Sequence, residues 1–188
     1  MQANHNSQLR AYAATYGTAV GAIWVLSFAL FIVGLRHAAA ANISLLAGIT
    51  SIAVATMLVR NFRLNIRPLR FATAWRLSLM TYLYATLLMA VAQYIYFRYI
   101  DGGYLAQTYT QLLQEPQAMT MLQAMWPEQE PQEIVQTCID LLQTLTPSTL
   151  TMQFLLYNLI LALILSWPTA LISKPRHSQG TPPQDAQE

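Results

Sequence analysis

The chain has 188 residues, of which 55% are hydrophobic and only 10% charged. An ordinary soluble domain carries about 25% charged residues, so this balance points to lipid rather than water as the surroundings. Four spans of roughly 20 residues each would use less than half of the chain, which leaves room for one folded segment outside the membrane but not for a second globular domain. A single cysteine, Cys138, excludes an intrachain disulfide.

The first uncharged stretch lies between Arg10 and Arg36, with the apolar run AVGAIWVLSFALFIVGL at its centre. It predicts a span over residues 17–35. Small residues at 38–41 imitate a signal-peptidase site, but the apolar region is longer than a signal peptide uses and Arg36 and His37 intervene, so the sequence favours an uncleaved first helix. Further spans are predicted over 40–59, 75–99 and 150–172. None alternates in the manner of a β-strand, and a backbone in hydrocarbon must satisfy its own hydrogen bonds, so all four are read as α-helices.

Arginine sets the expected orientation. Arg60, Arg63, Arg67, Arg70 and Arg76 lie between spans two and three, Arg10 precedes span one, and Lys174 and Arg176 follow span four. The segment 101–149 has six acids (Asp101, Glu115, Glu128, Glu130, Glu133, Asp140) and no lysine or arginine. Basic residues are retained on the cytoplasmic side. The expectation is a membrane protein with both termini cytoplasmic and the loop 101–149 external, which in a bacterial inner membrane is periplasmic.

That loop reads as helical. Tyr104, Leu105, Thr108, Tyr109, Leu112 and Leu113 make one stripe; Pro116 interrupts it; Met119, Met121, Leu122, Met125 and Trp126 follow; and Pro131 opens a second stripe through Ile134, Val135, Cys138, Ile139, Leu141, Leu142 and Leu145. These helices, within residues 102–147, are expected to form a cap over the outer end of the bundle, its methionines and Trp126 packing against the bundle in preference to the alternative of an adaptable apolar contact surface. Residues 173–188 are polar and proline-bearing and are read as a disordered cytoplasmic tail. The fold class is thus an all-α membrane protein: four transmembrane helices in a single domain over 1–172, with a helical insertion between the third and fourth.

Tyr16 and Gly17 opening the first helix, Arg60 and Arg63 after the second, and Phe71, Ala74 and Trp75 leading into a third that ends Tyr94, Tyr96, Phe97, Tyr99, Ile100, Asp101 make a recognisable set. Over residues 10–172 the chain resembles the bacterial membrane family catalogued as domain of unknown function 4199, frequent in Bacteroidota. The resemblance implies a four-helix membrane protein with an external helical insertion, and it brings no activity or catalytic residues.

Arg60, Arg63, Arg67 and Arg70 recur at helical spacing and form a candidate contact with lipid head groups, although a cluster of this kind is also what membrane topology alone requires. With no base-reading partners beside them they do not suggest nucleic-acid binding. Gly17 and Gly21 form a small-xxx-small seam for helix contact, within the bundle or between protomers. Asn158, Gln153 and Gln93 are the most polar side chains inside the spans and are expected to hydrogen-bond between helices. No Asp, Glu, Lys or Arg lies in a span core, as proton relays and ion-coupled transporters usually require. His5, His37 and His177 lack ligand partners at metal spacing, and serines such as Ser27, Ser51 and Ser166 have no histidine or lysine nearby in sequence.

The expectation is a noncatalytic accessory or scaffolding component without cofactor, surrounded by membrane lipids and binding a partner or lipid through its external cap. The alternative is a small transporter or channel subunit that works as a homo-oligomer.

Overall fold

The computed structural model describes residues 2–66 and 70–173. Among the described residues seven α-helices follow one another: α1 (Gln2–Gly34), α2 (Ala38–Asn61), α3 (Phe71–Ile95), α4 (Tyr104–Leu113), α5 (Pro116–Met125), α6 (Pro131–Thr144) and α7 (Pro147–Ile172). Two π-helical turns, Phe62–Ile66 and Tyr96–Ile100, extend α2 and α3. The described residues contain no β-strand.

Four segments are long and apolar enough to cross a membrane: Ser7–Gly34, Ala38–Leu64, Phe71–Ile100 and Pro147–Ile172. Their outward faces carry Leu26, Ile43, Leu46, Met57, Leu87, Val91, Leu156, Ile160, Leu163 and Ile164, all exposed. A belt of this kind is tolerated in lipid and would be an aggregation surface in water.

Helix starts follow local chemistry. Proline occupies the first turn of α5, α6 and α7, where its missing N–H is no loss. Thr146 caps α7, its Oγ1 accepting from the Thr149 amide at 3.2 Å. Between α3 and α4 the chain reverses through Gly102 and Gly103, both at positive φ (52° and 86°), a conformation that L side chains adopt only at a cost. The Asp101 carboxylate closes this turn by accepting from the Gly103 and Leu105 amides, both at 3.1 Å.

Inside the bundle α1 and α3 form the central pair. α2 packs on α1, α7 packs on α3, and α2 meets α7 only sparingly. One core cluster unites Val20, Trp24 and Phe28 of α1 with Tyr82, Ala85 and Met89 of α3, Ala55 of α2 and Ala162 of α7. A second gathers Leu9, Ala13 and Tyr16 with Val59, Phe62 and Leu77. This second cluster explains why α1 begins well before residue 17. The segment before the apolar run is helical because Leu9, Ala13 and Tyr16 fall on one face and are buried.

The helices between α3 and α7 differ from expectation in one respect. Leu105 of α4 joins the bundle core, and the Arg36 guanidinium lies 4.7 Å from the centre of the Tyr104 ring, so α4 is tied to the C-terminal end of α1. α5 buries no side chain, and Met121, Met125 and Trp126 are exposed rather than packed on the bundle. The charged and glutamine-rich stretch around Pro127 to Pro131 turns α5 back onto α6, whose Val135 and Ile139 are the side chains this unit buries.

Candidate functional site

The sparing contact between α2 and α7 leaves a cleft between them, floored by α1 and α3. It has a volume of about 430 Å³, within the range of about 300–1,000 Å³ typical of small-molecule sites. Trp24, Ser27 and Phe28 of α1 form one side of its floor and Met89 and Gln93 of α3 the other; Ser44, Gly48 and Ser51 of α2 face Phe154 and Asn158 of α7. Leu45, Ile49 and Leu161 border the mouth, and each is exposed on the lipid-facing side of its helix. No lining residue is charged.

Most polar groups in the cleft are satisfied. The Trp24 indole Nε1 donates to Ser51 Oγ at 2.8 Å, and Ser51 donates to the Gly48 carbonyl at 2.6 Å. Ser27 donates to the Ser44 carbonyl at 2.9 Å while Ser44 donates to the Ser27 carbonyl at 2.7 Å, a reciprocal clasp between α1 and α2. Two amides are the exceptions. Gln93 is only 1% exposed, and its Oε1 has no partner; Asn158 Nδ2 is also buried and without a partner. Interhelical bonding was the expected role for these residues, and at these atoms it is not made. The hydroxyls nearby already serve Trp24 and one another. Gln153 is exposed on α7.

Phe28 and Phe154, which line the cleft, belong to a cluster of rings with Tyr96 and Phe97, with ring centres 5.4–6.3 Å apart. Tyr96 and Phe97 sit on the π-helical turn that ends the third span, and such turns re-aim side chains where an α-helix would not. A second groove of about 450 Å³ runs on between α2 and α7, sharing Ile49 and Ile52 with the cleft and reaching Arg60 and Ile172.

The basic cluster is not one surface. Arg60 and Arg70 are exposed, and Arg67 lies outside the described residues. Arg63 leaves the group of lipid-facing arginines: it is 6% exposed, and its Nη1 donates to the Ala170 carbonyl and to Ser173 Oγ, both at 3.1 Å. The physical reason is the end of α7, whose last carbonyls lack intrahelical donors and are served by a guanidinium instead. Ser173, assigned by sequence to the tail, is fully buried in this arrangement. The rest of the tail lies outside the described residues.

Gly17 and Gly21 both face α3 within the same chain. A Cβ at Gly17 would collide with Tyr84 Cβ and stand 2.7 Å from the Thr81 carbonyl oxygen, and one at Gly21 would stand 3.1 Å from Ala85 Cα. Two further bonds tie α3 to α7: Trp75 Nε1 donates to Ser166 Oγ at 2.9 Å, and the Tyr82 and Thr169 hydroxyls meet at 2.9 Å. No signal in one sequence distinguishes these satisfied groups from Gln93 and Asn158, because the partners lie on helices far away in the chain.

The described residues form no strand, and four helices long and apolar enough to cross a membrane pack about a central pair, the architecture of the class of multi-span helical membrane proteins. Within that class the chain is a member of the family described as protein of unknown function (DUF4199), whose profile matches residues 15–175. No curated protein and no solved structure matches the chain.

Proposed function

We propose that this protein is a noncatalytic accessory component of a bacterial cytoplasmic membrane, with both termini cytoplasmic and residues 101–149 periplasmic, that binds a partner protein through α5 and α6. The observation that carries the reading is the uncovered apolar face of these helices: Met121 and Met125 of α5, the adjoining Trp126, and Leu141 of α6 are each about half exposed or more. Methionine and tryptophan make adaptable contact surfaces. Glu115, Glu128, Glu130 and Glu133 accompany this face with no lysine or arginine in the segment, so the fitting partner presents an apolar groove rimmed by basic side chains.

The only cysteine, Cys138, is partly exposed on α6 and serves as a built-in orientation probe. A membrane-impermeant maleimide applied to intact spheroplasts is expected to label it; labelling only after permeabilisation would reverse the topology. In native membranes, deleting residues 104–145 is expected to remove the principal crosslinked neighbour, and Trp126→Ala to weaken it. If every crosslinked neighbour stays in place after the deletion, the partner reading fails. An oligomeric transporter or channel subunit would need a seam other than Gly17 and Gly21, which are taken up by α3.

A further inference from the structure

We infer that the cleft between α2 and α7 is a binding site for an uncharged, long-chain lipid bearing a hydroxyl or amide group, entered sideways from the bilayer. This site is separate from the external helices and needs only that the four spans lie in lipid.

Three observations converge on that ligand. The mouth at Leu45, Ile49 and Leu161 opens on the faces that the spans present to lipid, so a membrane-dissolved molecule has access without crossing a polar surface. The walls are apolar and carry no charge, which excludes a charged head group from the interior, where nothing would compensate it. Gln93 Oε1 on the floor and Asn158 Nδ2 on the α7 wall are an acceptor and a donor left without partners, in a setting where an unsatisfied polar group is costly. A hydroxyl both donates and accepts, as does a primary amide, and so answers both.

Gly48 supports the same assignment from the wall of the cleft. A Cβ there would meet nothing nearer than Ser27 Oγ at 3.9 Å. Unlike Gly17 and Gly21, it allows no close helix approach; its missing side chain widens the cleft.

The test uses the full chain reconstituted in phosphatidylcholine vesicles with three photoreactive diazirine probes: a long-chain fatty alcohol, the corresponding alkane, and a phosphatidylglycerol. The alcohol is expected to label peptides containing Ile49, Phe154 and Leu161 saturably, and roughly tenfold more strongly than the alkane, the factor that loss of about one buried hydrogen bond predicts. Gln93→Leu with Asn158→Leu should remove that preference, and Gly48→Leu should block labelling by filling the cleft; circular dichroism and thermal unfolding in detergent check that each variant folds. Equal labelling by alcohol and alkane, or a preference that survives the Gln93→Leu, Asn158→Leu pair, would overturn the assignment and leave a furrow for any acyl chain. Phosphatidylglycerol labelling that exceeds the alcohol's and depends on Arg60 would overturn it in favour of an anionic phospholipid lying along the lower groove. A crosslinked second copy covering α2 and α7 in place of all three probes would overturn it too.

Discussion

Arg63 and Arg60 stand three residues apart with the same side chain and have different environments. Arg63 is buried against the last turn of α7, while Arg60 borders an open groove. Arg63→Ala is therefore expected to destabilise the bundle by about 1–3 kcal/mol, the cost of stripping a charged donor from buried acceptors. Arg60→Ala should change stability little. Thermal unfolding of the two variants in the same detergent makes the comparison. Gly17 carries a different kind of constraint. Gly17→Ala pushes a methyl into the α3 backbone at Thr81 and should cost about 1–3 kcal/mol through overpacking; Gly48→Ala, with open space before it, should be near neutral by the same assay. The spacing of the arginines and of Gly17 and Gly21 was legible in the sequence, but which of them is buried was not. The acceptors of Arg63 are more than a hundred residues further along the chain, and no local pattern encodes them.

Elements were more legible than contacts. Pro131 announced the start of α6, because a ring that fixes φ and lacks an N–H fits a first helical turn and little else in a helix; Pro116, read as an interruption, also opens a helix, and Pro147 opens α7 three residues ahead of the expected span. The four spans were readable because hydrocarbon permits few backbone solutions. The early start of α1 was not, since Leu9, Ala13 and Tyr16 are spaced among polar residues and only their burial against Val59, Phe62 and Leu77 reveals them as one face. The turn after α3 supplies a test at this scale. Gly103, at a φ of 86°, should resist a side chain. Gly103→Ala is expected to cost about 1–2 kcal/mol and to raise hydrogen exchange at the first amides of α4 while leaving α6 unchanged. A uniform rise across α4 to α6 would mean that the three helices open as one unit.

At the scale of the whole molecule, composition and the sorting of charge were sufficient for the class and the number of spans. The cleft was beyond their reach. Gln93 and Asn158 were visible as polar residues inside spans, and interhelical bonding is the usual fate of such groups. That they lack partners depends on how far α2 stands from α7, a property of four helices together. Trp24→Phe offers a check on the packing around that space: it removes the bond to Ser51 and should cost about 0.5–1.5 kcal/mol, with a lowered unfolding temperature as the readout.

The central pairing of α1 with α3 also has a bearing on how the protein is made. The two helices that every other span leans on are not consecutive, so the ribosome delivers α2 before the partner that completes the first seam has emerged. Until then Gly17 and Gly21 face lipid with nothing to fill the notch they leave. A nascent chain arrested after residue 66 should therefore present a loose hairpin that proteases cut readily. One arrested after α3 has cleared the insertion machinery should resist, with α7 arriving later as a latch rather than a foundation.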